Sequence, residues 1–201
     1  MNIYIRDGKE GDQSGIAETI AEAFYDSFKA IVKSKQKIVE VLTVGIQPQL
    51  FVVAEEGECI VGAIGMAAGG NYPILYDKKA AAKHFGWLRA KLAAPVVEAE
   101  FYQPKTFQEG QCQLAFVAVR EGARGRGTAK QMLLFLLEKR EYSLYTLDVV
   151  EGNERALSLY KGVGFQETGR QKEENRWIKG FSYRYLLSYR PEKEDRIESS
   201  L

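Results

Sequence analysis

The chain has 201 residues, 45% of them apolar and 27% charged, with a formal net charge of +1. That is the make-up of one ordinary globular domain able to bury its own core, with no global field toward nucleic acid or an anionic membrane. No apolar run approaches the ~18 residues of a membrane span, and a single histidine, His84, excludes a multi-histidine metal site.

Arg6, Asp7, Lys9 and Glu10 occupy the stretch where a secretory signal would need apolar residues, so the reading points to the cytoplasm. Cys59 and Cys112 stand far apart with no metal-ligand spacing, and are expected to be reduced, half-buried packing residues.

Ile3 and Ile5 alternate with polar residues as a first strand, closed by Gly8 and Gly11. Ile16, Ile20, Phe24 and Phe28 recur at four-residue steps and predict one amphipathic helix. Ile31, Ile38, Val39 and Leu42 predict a second helix, ending near Gly45 and Pro48. Leu50–Ala54 and Ile60–Met66 read as strands joined by a hairpin turn at Glu55–Glu58. The segment 70–110 is longer than a simple connection needs. Ala81, Phe85, Leu88 and Leu92 give it one helical face, and 98–108 reads as an irregular loop.

Leu114–Val119 has the apolar, β-branched character of a buried strand, and Met132–Leu137 that of a buried helix. Between them lies Arg124-Gly125-Arg126-Gly127-Thr128-Ala129. A glycine-rich turn entering a helix directs unpaired N–H groups and the positive end of the helix dipole at one spot, which suits a phosphate. Small residues at 125, 127 and 129 let an anion approach the backbone. The two arginines read equally well as further phosphate contacts or as solvated side chains.

Leu144–Val150 is the next strand, followed by Asn153 to Phe165. A strand at 166–171, a turn at 173–175 and a last strand carrying Phe181, Tyr183, Tyr185 and Leu187 in alternation complete the pattern. From Pro191 the chain is a charged tail with little to bury.

Two stretches resemble the GNAT superfamily of acyl-CoA-dependent N-acetyltransferases. Its first signature, Q/R-x-x-G-x-G/A at the start of a helix, is filled by positions 124, 127 and 129. Its second, N-x-x-A-x-x-L-Y-x-x-x-G-F, is filled by Asn153, Ala156, Leu159, Tyr160, Gly164 and Phe165. The detailed resemblance covers residues 111–170, and the element order extends it along most of the chain.

The resemblance implies an α/β fold: one domain over 1–190, with a central mixed sheet of six or seven strands and helices on both faces. Strands 114–119 and 144–150 should be parallel and diverge at their C-terminal ends. It implies that the amides of Arg124, Gly125, Arg126, Gly127, Thr128 and Ala129 hold the pyrophosphate of acetyl-CoA. It further implies that the free backbone of Val117, Ala118 and Val119 pairs with the pantetheine arm. Asn153 reads as a helix N-cap, and the family adds a contact to the cofactor arm. Tyr160 reads from spacing alone as core; the resemblance makes its hydroxyl the acid that protonates the departing thiolate.

One branch of the family places a glutamate base in the pattern E-x-x-F-x-A-V, and this chain has Gln113 there. Glu55, Glu98, Glu100 and Glu109 are other acids that could serve, and none is singled out. The function implied is acetyl transfer from acetyl-CoA to a primary amine by direct attack in a ternary complex, without metal, nucleic acid or membrane. The acceptor is a small amine or a peptide amine, with segment 70–110 shaping its site, and a homodimer stays open. The rival is an acyl-CoA-sensing module without turnover.

Overall fold

A computed structural model describes residues 2–29, 32–88, 90, 91, 94, 106–139, 141–173 and 180–191. The first half runs β1 (Ile3–Asp7), α1 (Gln13–Ala23), the single turn α2 (Tyr25–Phe28), α3 (Lys35–Gly45), β2 (Phe51–Glu56), β3 (Cys59–Ala68) and α4 (Lys78–Phe85). The second half runs β4 (Gln111–Val119), α5 (Thr128–Glu138), β5 (Leu144–Val150), α6 (Glu154–Val163), β6 (Gln166–Lys172) and β7 (Tyr183–Tyr189).

The strands form one seven-stranded sheet in the order β1-β2-β3-β4-β5-β7-β6. Its one parallel pair is β4–β5. A parallel pair needs a crossover, which α5 supplies.

Helices cover both faces, as the sequence led us to expect. On one face Met132, Leu133 and Leu136 of α5 and Leu157 and Tyr160 of α6 pack against Ile64, Leu114, Tyr145, Leu147 and Leu187 of the sheet. On the other, Ile16 and Ile20 of α1 and Ile38 and Leu42 of α3 pack against Phe51, Val53, Ala63 and Ala118. Each buried Leu, Ile, Val, Met or Phe among them contributes roughly 1.5–3 kcal/mol.

The feature that shapes the site is a bulge in β4. Gly65 pairs with Phe116 and Met66 with Leu114, so Ala115 is an extra residue. Ahead of it, Cys112 and Leu114 face the α5–α6 core; beyond it, Val117 and Val119 do. Ala118 faces the α1–α3 core. A bulge bends its strand and ends regular pairing. Accordingly, β4 pairs with β5 only at Gln111↔Leu144, Cys112↔Tyr145 and Gln113↔Thr146. From there to their C-terminal ends the two strands part.

Several boundaries differ from expectation. The apolar stripe through Phe28 is not one helix: it breaks at Phe24 (φ −112°, ψ 19°), whose ring packs edge-on against Phe116 with centroids 6.0 Å apart. The hairpin turn is Gly57-Glu58, since Glu56 still pairs with Cys59. The helix of segment 70–110 starts at an Asp77 cap and is broken at Gly86, where φ is +85°, with Trp87 and Leu88 helical again beyond it. Leu88 is exposed instead of continuing a buried face. Leu92 and 98–105 lie outside the described residues, as do 174–175 of the expected turn and the tail from 192.

Neither cysteine is half-buried. Cys59, beside the hairpin turn, is exposed, and Cys112, facing the α5–α6 core, is buried. Burial, with a smaller effect of Glu141, pushes the Cys112 thiol up to about 12.

Candidate active site

The turn into α5 is built around two glycines in the left-handed region, Gly125 (φ +77°) and Gly127 (φ +76°), where a side chain would be strained. The first hydrogen bond of the helix runs from Gln131 N–H to Gly127 O, 2.9 Å. The N–H groups of Thr128, Ala129 and Lys130 therefore have no helical acceptor. No acidic residue stands in this first turn to repel an anion. A Cβ at Gly125 would meet nothing within 4 Å, so this part of the loop borders open space.

Within this turn the side chains take different roles. Thr128 is buried and its hydroxyl donates to Ala123 O at 2.9 Å, leaving only its backbone for a ligand. Arg124 Nε donates to Val119 O at 3.0 Å, tying the loop to the end of β4. The Arg126 guanidinium bonds both carboxylate oxygens of Glu56, at 2.7 and 3.1 Å, and holds that acid below its usual range.

The edge of β4 facing the parted strand has a definite composition. Arg120 N–H donates to Val61 O on β3, and backbone direction alternates along a strand. Ala118 therefore points its backbone at Ala63 of β3, while Val117 turns its N–H and C=O, and Val119 its N–H, to the opening; the Val119 C=O is taken by Arg124. The free edge is thus narrower than the three residues read from the sequence.

Opposite stands α6. Asn153 Oδ1 accepts from Ala156 N–H at 3.2 Å, the N-cap anticipated from its position. Tyr160 is buried against Phe165, ring centroids 6.0 Å apart. Its hydroxyl has no hydrogen-bond partner among the described residues, and no sealed polar side-chain atom there lacks one, so this hydroxyl reaches solvent. Burial, then the charge of Asp148, pushes the phenol above the usual tyrosine range. It is a protonated donor at neutral pH.

These elements enclose an open cleft of about 460 Å³. Its lining includes Val117, Val119, Arg124, Gly125, Gly127, Thr128, Ala129, Asn153 and Tyr160. Ala118 and Arg126, the other two residues singled out in the sequence, do not line it. Ala23, Phe24, Lys130 and Arg155 do, and went unnoticed. Lys130 and Arg155 sit in the first turns of α5 and α6, a position that could have flagged them as cations beside an anion site. Among the described residues no cluster of His, Cys, Asp or Glu could hold a metal ion, and no helix is long and apolar enough to cross a membrane.

A polar row crosses the point where the strands part. Gln111 Nε2 donates to Thr146 Oγ1 at 3.0 Å, and Thr146 Oγ1 to Gln113 Oε1 at 2.6 Å. Further along β5, Asp148 pairs with Arg184 at 2.8 Å. Of the acids noted in the sequence, Glu55 is committed to Arg6 at 2.6 Å, and Glu98 and Glu100 lie outside the described residues.

Residues 17–165 match the model of the family described as acetyltransferase (GNAT). Among solved structures, an N-acetyltransferase from Staphylococcus aureus Mu50 superposes with a TM-score of 0.62 at 22% identity, covering 92% of this chain and 100% of that one. The ribosomal-protein-S18-alanine N-acetyltransferase of Escherichia coli gives 0.59 at 12% identity, over 98% of each chain. Arabidopsis thaliana Naa50, solved with a bisubstrate analogue CoA-Ac-MVNAL, gives 0.51 at 13%, over 94% of this chain and 99% of that one. No curated protein matches the sequence. At these identities the solved structures speak for the fold, and the family match over most of the length speaks for descent. The chain belongs to the GNAT family of acetyltransferases.

Proposed function

We propose that this protein transfers an acetyl group from acetyl-CoA to a primary amine in a ternary complex. The observation that carries this reading is the convergence, in one cleft, of free helix N–H groups, an unpaired strand edge and a protonated phenol. Each suits a different part of the same thioester substrate.

The residues present fit coenzyme A. The N–H groups of Thr128, Ala129 and Lys130 suit its pyrophosphate, at a helix terminus free of acids. Lys130, Arg124 and Arg155 add positive charge along the lining. Val117 offers its N–H and C=O, and Val119 its N–H, which an extended pantetheine arm can pair with as an added strand. Asn153 Oδ1 is spent on its own helix, so any contact it makes falls to its Nδ2.

When bound, acetyl-CoA supplies the thioester, an acetyl group already activated for an amine. The N–H groups of the parted β4 edge polarise its carbonyl. The attacking nitrogen must be neutral; desolvation lowers the pKa of an amine that is ordinarily near ~10, and its proton passes to water or a carboxylate. Tyr160 holds a proton at its hydroxyl for the sulfur that leaves. A free thiolate of pKa ~8.5 is less basic than a tyrosinate, so the proton is only partly transferred as the C–S bond breaks, and the proton shed by the acylated amine completes the thiol and leaves Tyr160 protonated.

The test is a turnover screen of the full chain with acetyl-CoA across a library of amines, read by release of free thiol and by mass of the N-acetyl product. Thiol release matched one-for-one by acetylated amine supports the reading. Tight coenzyme A binding with no amine acetylated would instead make the protein a binding module.

A further inference from the structure

The polar row at the base of the strand split fixes the direction of one side chain. Gln108 N–H donates to Gln111 Oε1 at 2.9 Å; a backbone N–H is only a donor, so that atom of the Gln111 amide is the oxygen. Its nitrogen therefore donates to Thr146 Oγ1, and the one hydroxyl hydrogen of Thr146 is left to give. Gln113 Oε1 takes it at 2.6 Å, a usual O–H···O length and shorter than an N–H···O bond. The other acceptor in reach, Cys112 O, is 3.5 Å away. Gln113 Nε2 is thus turned outward with two N–H donors that have no partner among the described residues. It reaches solvent, because no sealed polar side-chain atom there is unpartnered.

Gln113 and Thr146 are the last residues joining β4 to β5, so those donors stand at the apex of the split. They lie on the face away from α5 and α6, since Cys112 and Leu114 occupy the other. On that same face, two residues along β5 from Thr146, is the carboxylate of Asp148, with Arg184 beside it. That face therefore carries a free donor for an oxygen, beside an acid whose charge Arg184 already balances.

We infer that Gln113 is an acceptor-reading residue: its amide N–H groups bind a carbonyl oxygen on the carbon next to the reacting amine. The preferred acceptor class is an α-amino carbonyl compound, such as an amino acid amide or a peptide N-terminus, over a simple alkylamine or a polyamine. The assignment rests on the acetyl-transfer reading above.

The experiment compares alaninamide, isopropylamine and spermidine as acceptors for the full chain, at equal concentrations of neutral amine. The enzyme is wild type, Gln113→Glu or Gln113→Met. Glutamate keeps the acceptor for Thr146 and removes both donors, while methionine removes all polarity at similar length; circular dichroism confirms folding of each. Wild type should favour alaninamide over isopropylamine in kcat/KM by about tenfold or more, the worth of one or two neutral hydrogen bonds. Both variants should lose that preference through KM for the amine, with KM for acetyl-CoA unchanged. A wild-type ratio near one, better use of spermidine than alaninamide, or a preference retained in a folded variant would overturn the inference alone. Coenzyme A binding without thiol release for any amine would overturn the transferase reading beneath it.

Discussion

Gln113 and Thr146 close the parallel ladder between β4 and β5, and they do so with side chains as well as backbone: Thr146 Oγ1 donates to Gln113 Oε1 across the last paired register. Two residues later the extra residue Ala115 bends β4 away. The side-chain bond pins the strands at the point where the bulge pulls them apart.

Thr146→Val keeps the β-branched shape and removes the hydroxyl that links Gln111 to Gln113. The loss of about two neutral hydrogen bonds, partly recovered by water, should lower stability by roughly 1 kcal/mol. Coenzyme A affinity should be unchanged, because Thr146 does not line the cleft. Denaturant unfolding alongside calorimetry checks both.

Gly127→Glu puts bulk and negative charge at the mouth of α5 and should abolish coenzyme A binding. With φ at +76°, any L-residue there also carries backbone strain of roughly 1–2 kcal/mol. Gly127→Ala carries the same strain without the charge. The prediction is that both variants fold with similarly reduced stability, while calorimetry finds measurable affinity only in the alanine variant. Unchanged affinity in Gly127→Glu would remove this turn from the site.

The cationic side chains separate by where they point. Arg155 and Lys130 line the cleft, whereas Arg126 is held by Glu56 outside it. Arg155→Ala should weaken coenzyme A binding by about tenfold, and more at low salt because less screening sharpens each lost charge. Arg126→Ala should change affinity less than threefold, on the order of a rim charge. Titrations at two salt concentrations distinguish them.

The cysteines give a pH prediction with a definite sign. A thiol agent at pH 8 should label the exposed Cys59 rapidly and leave Cys112 untouched in the folded chain. Cys112 keeps its proton to about 12 when folded, against an unfolded value of 9.0. The folded state therefore binds the proton more tightly. That contribution to stability is fully present below pH ~9 and is lost as the pH rises toward 12. Cys112→Ser should flatten this part of the stability curve.

Much of the fold was legible because its signals are local. Periodicity placed the strands and helices, and the two motifs placed the α5 turn and the α6 face. The motif residues Arg124, Gly127, Asn153 and Tyr160 do come together in one cleft. What escaped depends on contacts distant in sequence. The bulge at Ala115 turns the Ala118 backbone to β3, and nothing in an apolar run marks an extra residue. Arg126 looked equivalent to Arg124 until Glu56, 70 positions away, claimed it. Phe24 continued an amphipathic stripe perfectly well, and only its contact with Phe116 shows why the helix breaks there. Asp148, an acid inside an apolar strand, finds its partner in Arg184, 36 positions away.

The most direct measurement of the central claim is single-turnover acetyl transfer by Tyr160→Phe. The variant keeps the ring against Phe165 and deletes a hydroxyl that bonds no described residue, so stability and acetyl-CoA affinity should stay close to wild type. If Tyr160 protonates the departing sulfur, the rate of transfer should fall by roughly 10²–10⁴-fold, the usual cost of a lost general acid. A wild-type rate in the folded variant, measured where chemistry limits turnover, would contradict the account and leave Tyr160 as a packing residue.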